Sequence, residues 1–429
     1  MATPKVTMNA DGVTLLNTIR MNASQVYQDR IPEATATNIQ DVGAGILAYE
    51  PAYNEFCAAL INRIGLVLID SRLAWNALAW AKKGELAMGE SIEHVFVDLI
   101  KAQVYDPREA ENTLFKRSLP NVQAVFYKID SQLHYDITIG PNDLRMAFTS
   151  YDNLDRFITR VIESCTNSAT QDEYLQSKAL IKNYGDKHYF QTVTIPAIVD
   201  KDTAEEAQIE IKAMSDALMF MSQNYNSAGV WNSTPKDDQY LLVTPKTNAR
   251  LNVQVLAAAF NMSNAEFAGH VIVLDDFGGL EDEGYVAFLV DRNWMQIYDV
   301  LRTMRTAENG KGLYTNYFYH VWAIYATCRF YNAVAFITGT PTVTQVTVNP
   351  TAITLPAGGT VQIDPTVTGT NNPTAKCTYT MTGNTDNESY VTSMGKVVLG
   401  SREEGPTITV TAKSVADDTK TATCTITVS

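Results

Sequence analysis

The character of the sequence changes abruptly near residues 339–341, and this change constrains the fold more than any other feature. About a quarter of the residues that follow are Thr, a β-branched residue that favours strands. Short segments there alternate apolar with polar residues and are separated by Pro, Gly and Asn, which is typical of half-buried antiparallel strands. The apolar positions are Val343, Val346, Val348, Val361, Ile363, Cys377, Tyr379, Met381, Val397, Leu399, Ile408, Val410, Cys424, Ile426 and Val428. The sequence therefore predicts a small all-β sandwich over residues 342–429, after a larger domain over residues 1–341.

The larger domain mixes helical and strand-like patterns without a regular βαβ repeat, which predicts an α+β fold. One apolar stripe at helical spacing runs from Leu154 to Cys165. A capping box at Ser168 and Gln171 predicts that a second helix begins there, and a box at Thr203 predicts another. A further helix is expected over residues 54–64. Strand-like runs cover residues 65–69, 95–100, 241–244, 270–274 and 285–290.

An aromatic run from Tyr314 to Phe336 closes the larger domain. Its aromatic and polar residues alternate, which is what one long, largely buried strand would show. A stacking platform for nucleic-acid bases is the alternative, but the run holds too few basic residues for that role. We therefore interpret the run as a packing element.

Net charge excludes one class of function. The chain has 33 Lys and Arg against 47 Asp and Glu, so 33 − 47 gives −14. Residues 342–429 hold five basic and seven acidic residues, so 5 − 7 gives −2 and the remaining −12 falls on residues 1–341. A protein that grips nucleic acid needs a basic surface to displace the counterions of the phosphates. Tight nucleic-acid binding is therefore not expected.

Known catalytic motifs are missing from the sequence. It contains no GxxxxGK[ST] loop, HExxH, GxSxG or GxGxxG. None of the five histidines has a partner at metal-ligand spacing. Asp275, Asp276 and residues 281–283 flank two glycines and form the best metal candidate, but they lack the alternating spacing of an EF-hand, which favours a solvated acidic loop. A catalytic pair of carboxylates remains an open alternative, because the two members of such a pair meet in space and need not be close in sequence. We expect no enzyme activity and no cofactor.

The cysteine spacing does not indicate a disulfide framework, and the start of the sequence does not indicate a targeting signal. The five cysteines lie far apart, so neither a disulfide framework nor a zinc site is expected. Cys377 and Cys424 fall in the inward phase of their strands and are interpreted as core thiols, with a bridge between them left open. The start shows no secretory pattern, and the longest apolar stretch, residues 321–338, is interrupted by charge. We expect a protein that stays in a cytoplasm and has no membrane partner.

Residues 69–104 do not fit a compact domain. They predict a long excursion out and back, with turns at residues 81–85 and 88–90. Long hairpins bury little of their own surface and usually need a partner chain to lie on. Lys82 and Lys83 at the predicted tip have two interpretations: they pair with acidic groups of a neighbouring subunit, or they are solvated loop lysines.

Several blocks together resemble a known family. In chain order they are TATNIQDVGAGIL (35–47), RIGLVLI (63–69), LPN (119–121), AFNM (259–262), FLVDRNWMQIYD (288–299), GLYTNYFYHVW (312–322) and RFYNAVAFITG (329–339). They look like the major capsid proteins of small short-tailed bacteriophages of the Picovirinae type. The ending TQVTVNP (344–350), followed by strand repeats, is similar to the group 2 bacterial immunoglobulin-like domain that those proteins carry. The likeness runs from about residue 35 to the C-terminus.

The resemblance implies the capsid fold shared by tailed phages and herpesviruses, followed by an immunoglobulin-like sandwich. Its parts are expected at residues 1–34 (N-terminal arm), 69–104 (extended loop), 151–184 (spine helix) and 195–310 (axial domain), with the immunoglobulin-like domain at residues 342–429. The extended loop is expected to lie on a neighbouring subunit. Its predicted contact residues are Leu73, Trp75, Leu78, Trp80, Lys82 and Lys83.

The same resemblance implies a structural protein of the virion that assembles itself into a head of pentamers and hexamers in the host cytoplasm. The implied partners are a scaffolding protein, a portal or connector, and double-stranded DNA that is enclosed without tight binding. The outer domain is expected to decorate the surface, with contact to a head fibre or to the host surface.

Two alternatives stay in view. A bacterial adhesin with an immunoglobulin-like stalk would carry a signal peptide and tandem stalk repeats, and neither is visible. A carbohydrate-active hydrolase with an accessory module would need a pair of carboxylates in a cleft.

Overall fold

The structure is a computed structural model, which describes residues 12–56, 59, 76–87, 90–97, 99–100, 102, 122–139, 146, 148, 151–251, 270–309, 311 and 314–429. Its helices are α1 (Gly12–Asn22), α2 (Gln25–Arg30), α3 (Ile39–Leu47), α4 (Tyr151–Asp186), α5 (Lys201–Leu218) and α6 (Pro245–Arg250). Residues 50–56 are also helical, within the helix predicted from residue 54, and most of residues 57–64 lie outside the described part.

The strands before residue 341 are β1 (Lys82–Glu85), β2 (Ile92–Val97), β3 (Val122–Tyr127), β4 (Ser131–Ile139), β5 (Gln191–Ile195), β6 (Gln239–Val243), β7 (Val271–Val273), β8 (Tyr285–Asp291), β9 (Met295–Asn309), β10 (Tyr314–Thr327) and β11 (Ala333–Thr338). They form a four-stranded sheet in the order β1-β9-β10-β4, a five-stranded sheet in the order β5-β11-β8-β6-β7, and a separate β2–β3 hairpin. The predicted strand at residues 65–69 lies outside the described residues.

Helix α4 spans 36 residues without a break, so it is about 54 Å long at 1.5 Å per residue. The prediction that a second helix begins at Ser168 is wrong. A capping side chain acts only where the residue has non-helical backbone, and Ser168 lies inside the helix with its side chain exposed to water. The hydroxyl is tolerated there because water satisfies it.

Helix α5 begins two residues before the predicted box. The N-cap is Asp200, whose carboxylate accepts a hydrogen bond from the Thr203 backbone N–H at 2.9 Å. The Thr203 hydroxyl accepts from the Asp200 N–H at 3.1 Å in return. Thr203 is therefore the N3 residue, the last of the box, and not its N-cap.

The five-stranded sheet is covered on both faces. In β8, Phe288 and Val290 point into a cluster with Tyr184 of α4, whereas Ala287 and Leu289 point into a cluster with α5. All four β8 residues are fully buried. Because both faces are covered, these strands are continuously apolar and do not alternate.

The aromatic run is two strands and not one. Strand β10 belongs to the four-stranded sheet and β11 to the five-stranded sheet, and the chain turns between them at residues 328–332. Alternation in β10 is real, but its buried phase is that of Tyr317 and Tyr319, which pack against the N-terminal helices.

Residues 342–428 form strands that pair only with each other within the described chain. The strands are β12 (Thr342–Asn349), β13 (Ala352–Leu355), β14 (Thr360–Gln362), β15 (Asp364–Thr370), β16 (Cys377–Thr382), β17 (Tyr390–Val391), β18 (Lys396–Val398), β19 (Thr407–Ser414) and β20 (Thr421–Val428). They make the pairs and sheets β12-β15, β13-β20-β19-β16 and β14-β18-β17 around one apolar core. Cys377 and Cys424 lie in this core as free, buried thiols.

Candidate functional site

The segment predicted as the near half of the extended loop folds against its own domain. Strand β1 pairs in parallel with β9, placing Lys82 opposite Ile297, so the prediction of a turn at residues 81–85 is wrong. Such a pairing joins residues more than two hundred positions apart, which local turn signals do not register. The charged edge residues also suit a strand that ends a sheet.

Two of the predicted intersubunit contact residues in this segment pack against their own chain. Leu78 is completely buried in the core cluster that contains Trp294, so it is a core residue here and not a surface contact. The Trp80 ring stacks on Tyr240, with centroids 4.6 Å apart and planes 10° apart. Leu73 and Trp75 lie outside the described residues.

Lys82 lies in a network of four charged groups. Its ammonium is 3.1 Å from Glu173 of α4 and 2.9 Å from Asp299 of β9. Arg302 contacts the same two carboxylates at 3.2 Å and 2.9 Å. Burial alone lowers the pKa of Arg302, but the charge and hydrogen bond of Asp299 outweigh it and raise the pKa above its usual value. The network therefore ties β1 to the long helix and to β9.

Lys83 points away from this network. Its ammonium donates a hydrogen bond to the Arg292 carbonyl at 2.9 Å. Burial, followed by the nearby Arg292 charge, lowers the pKa of Lys83. Both lysines that were predicted at a loop tip thus have partners within their own chain.

The β2–β3 hairpin has one outward face whose described side chains are apolar except for Glu93. Opposed pairs on this face are Glu93 with Phe126, Val95 with Ala124, and Val97 with Val122. The exposed fractions on this face are Val95 53%, Val97 53%, Val122 51% and Phe126 58%. A contiguous group of exposed apolar side chains is a candidate interaction surface. We name this group the hairpin face.

The opposite face of the hairpin is anchored. Phe96 packs on Phe330, with ring centroids 5.7 Å apart. The His94 ring nitrogen Nε2 lies 2.8 Å from the Gln296 side-chain oxygen. Gln123 donates to the Ser393 hydroxyl at 2.9 Å, so the hairpin also touches the C-terminal strands. The hairpin face is therefore held in a fixed place.

The sequence contained the signal for this hairpin. Residues 95–100 were predicted as a strand, and the partner strand β3 was missed although VQAVFY is rich in β-branched and aromatic residues. The structure pairs residues 92–97 with residues 122–127, and residues 69–75 of the predicted excursion lie outside the described residues.

A second apolar group lies at the end of α5. Met219, Phe220 and Met221 are exposed, Phe220 by 73%. The bridge between Ser222 and Asn232 brings Trp231, which is 38% exposed, close to them. No sequence pattern indicated this group, because its members come from two loops.

The acidic loop is bound to α4. Lys178 lies 3.0 Å from Asp275 and 3.0 Å from Asp276, and the Glu281 carboxylate accepts hydrogen bonds from backbone N–H groups of its own loop. Burial alone raises the pKa of Asp275, but hydrogen bonds from Tyr174 and Lys178 lower it below its usual value. Among the residues that the structure describes, no group of His, Cys, Asp and Glu is arranged to hold a metal ion.

No helix within the described ranges is long and apolar enough to cross a membrane.

Comparison with known proteins gives a consistent result. The family model of the Phi29-like phage major capsid protein matches residues 16–337. The major capsid protein of Bacillus phage B103 is 37% identical over 94% of this chain and 89% of its own length. That of Bacillus phage PZA is 35% identical over 94% of this chain and 89% of its own length. The matched model ends within β11, before the C-terminal strands.

Solved structures agree at the level of fold. A chain from the capsid structure of Staphylococcus phage Andhra has a TM-score of 0.54 and 15% identity, and the match covers 63% of this chain and 86% of that chain. A chain from the structure of the head fibre and inner core protein of native bacteriophage P68 has a TM-score of 0.50 and 15% identity, with coverage of 62% and 85%.

Proposed function

The chain belongs to the Phi29-like phage major capsid protein family, and from this premise we propose that the hairpin face makes a contact between neighbouring subunits of the shell. The protein is a structural component of the phage virion that assembles with copies of itself, and it is not an enzyme. One observation carries the proposal: an anchored β-hairpin presents four half-exposed apolar side chains on a single face.

The hairpin suits this role energetically. Each Å² of apolar surface removed from water contributes roughly 25 cal/mol, so a weak contact repeated in every subunit adds up over a closed shell. The anchored inner face means that little conformational freedom is lost when the outer face is covered. The contact is therefore weak per subunit and strong in sum.

The extended loop is redefined by this proposal. We assign the neighbour contact to β2, β3 and the residues between them, together with Leu73, Trp75 and Lys83 from the original range of 69–104. Leu78, Trp80 and Lys82 hold the base of the loop on its own domain. A deletion of residues 76–88 would remove Leu78 from the core, so it does not test assembly separately from folding.

The test therefore uses point substitutions on the hairpin face. We expect Val97→Asp combined with Phe126→Asp to leave a folded chain by circular dichroism and to abolish shells in sedimentation and electron microscopy with the scaffolding protein present. Val97→Thr, which keeps the shape and the strand preference of the residue, is the matched control and should still assemble. Normal shells from the double variant would contradict the proposal.

We propose the other parts of the capsid fold from their positions in the chain. Residues 1–34 are the arm, α4 is the spine, residues 195–310 hold the axial domain, and residues 342–429 are an immunoglobulin-like domain on the outer surface. The all-β topology and single core of residues 342–428 support the last assignment. The end of the family match at residue 337 supports a boundary near residue 341.

We also propose the partners of the assembled shell. A scaffolding protein and a portal would direct assembly in the host cytoplasm, and a head fibre or host surface would meet the outer domain. Double-stranded DNA would be enclosed without tight binding, because the net charge of −14 disfavours phosphate contacts. A strongly basic inner surface of the assembled particle would contradict this last point.

A further inference from the structure

A crevice of about 270 Å³ lies between the two domains. One wall consists of Gln223, Asn224 and Gly229 of the shell domain. The other wall comes from the C-terminal domain and consists of Lys376, Cys377, Thr378, Tyr379, Val391, Thr392, Ser393 and Val415. The volume exceeds that of several water molecules, at roughly 30 Å³ each, so it has room for a small polar molecule.

Lys376 brings a positive charge into this crevice. Its ammonium donates a hydrogen bond to the Gln223 carbonyl. Within the described residues, no carboxylate forms an ion pair with it. Burial lowers the pKa of Lys376 to about 8, and no neighbouring charge opposes that shift. An ammonium has three donors, and a partly buried cation without a counter-charge is costly. An anion in the crevice would offset this cost.

The hydroxyl of Ser393 is a second donor beside Lys376. The Ser393 hydroxyl accepts a hydrogen bond from Gln123, which leaves its own proton available to donate. Gly229 has a φ of +65°, and a methyl group built on it would lie 3.4 Å from Ser393 Cβ and 3.5 Å from Lys376 Cε. Lys376 and Ser393 therefore flank the same point of the wall, and the glycine leaves space there.

We propose that this interdomain crevice binds a small oxyanion, with Lys376 supplying the charge and Ser393 a hydrogen bond. Tetrahedral oxyanions such as sulfate and phosphate accept several hydrogen bonds and match an ammonium and a hydroxyl donor that lie side by side. The group is either a free inorganic ion or part of a phosphate ester.

Lysine acylation with peptide mass spectrometry tests the proposal on the purified full-length chain near pH 7. Lys376 should react readily, because its lowered pKa leaves more neutral amine than an ordinary lysine has. Sulfate, compared with chloride at equal ionic strength, should slow acylation of Lys376 about tenfold when present at ten times its dissociation constant. Lys413 is exposed on strand β19 of the same domain and is the internal control, whose rate should not change.

Further arms identify the ligand and the site. Glycerol 3-phosphate replaces sulfate in a second series: equal protection extends the site to phosphate esters, and protection by sulfate alone restricts it to inorganic ions. Ser393→Ala should weaken the protection of Lys376 in a chain that remains folded by circular dichroism. The proposal is overturned if sulfate and chloride give equal rates at Lys376, if Lys413 is protected equally, or if Lys376 does not react at all.

Discussion

The five-stranded sheet and the β2–β3 hairpin are both rich in apolar side chains, but among the described residues the sheet is covered on both faces, whereas the outward face of the hairpin is exposed. Phe288 in β8 is fully buried between aromatic neighbours, whereas Phe126 in β3 is 58% exposed. The sheet therefore stabilises the subunit, and the hairpin face has apolar surface left for another molecule. The same residue type thus stabilises the fold in the sheet, and in the hairpin it lies on the face that we propose contacts a neighbouring subunit.

The largest expected effect comes from removing one aromatic side chain from the sheet and, for comparison, one from the hairpin. Phe288→Ala should lower the free energy of unfolding by about 3–5 kcal/mol, because it leaves a cavity among Phe190, Phe277 and Tyr285. Phe126→Ala should change it by less than about 0.5 kcal/mol and should reduce the yield of shells. Denaturant unfolding of the unassembled chain measures both values. Equal destabilisation by the two variants would show that the hairpin belongs to the folding core.

How far the sequence predicted the fold depends on the distance between interacting residues. The strands of the C-terminal domain that start near Val343, Cys377 and Cys424 were predicted, because alternation is a local pattern and one face is buried. The C-terminal strands β13, β15 and β17 were not among the predicted strands. They are short, exposed or rich in turn residues.

The sequence predicted the structure less well where contacts between distant parts of the chain determine it. Lys82 was assigned to a turn, because Lys-Lys-Gly-Glu carries local turn signals, but β9 offers it a free edge. Ser168 was assigned to a helix start, because a capping box is recognised by sequence spacing and not by backbone. The hairpin face was only half found, since the partner of β2 lies beyond residue 120.

A buried carboxylate in the C-terminal domain is stabilised by hydrogen bonds from its own chain. Glu403 is 4% exposed and accepts hydrogen bonds from Thr385, Ser389 and the backbone of its loop. Burial alone would raise the pKa of Glu403, but the Ser389 and Thr385 hydrogen bonds lower it to about 2. The carboxylate therefore stabilises the domain above its ordinary pKa of 4.5, and this stability is lost as the pH falls from 4.5 toward 2.

Thermal unfolding between pH 7 and pH 2 checks this for Glu403→Gln. The variant should unfold at a lower temperature than the parent at neutral pH, and the difference should shrink below pH 4.5. Glu404→Gln is the matched control, since Glu404 is exposed next to it in the chain. A difference that stays constant down to pH 2 would show that the charge of Glu403 is not what stabilises the loop.

A smaller effect is expected at the junction between the long helix and β1. Glu173→Gln removes one carboxylate from between Lys82 and Arg302 and should lower the free energy of unfolding by about 1–2 kcal/mol, because the network is only partly exposed. Lys182→Gln on the same helix breaks an exposed pair with Asp186 and should cost less than about 0.5 kcal/mol. Urea unfolding compares the two, and equal losses would show that the network resembles an ordinary surface pair.

The smallest predicted effect concerns the contact between the two domains. Gln191 follows the long helix and donates a hydrogen bond to the Thr374 hydroxyl at 3.0 Å, and both residues are buried. The Ala375 N–H donates to the His188 carbonyl at 2.8 Å beside it. Thr374→Val keeps the shape but leaves the Gln191 amide unpaired, which should cost about 1 kcal/mol.

Differential scanning calorimetry distinguishes a docked C-terminal domain from a tethered one. If the junction couples the two domains, Thr374→Val lowers the unfolding temperature of both, because each loses the same buried partner. Thr380→Val on β16 is the control, since Thr380 is exposed and bonds neither domain to the other. A shift confined to the C-terminal transition, or an equal shift from Thr380→Val, would show that the Gln191–Thr374 hydrogen bond does not couple the unfolding of the two domains.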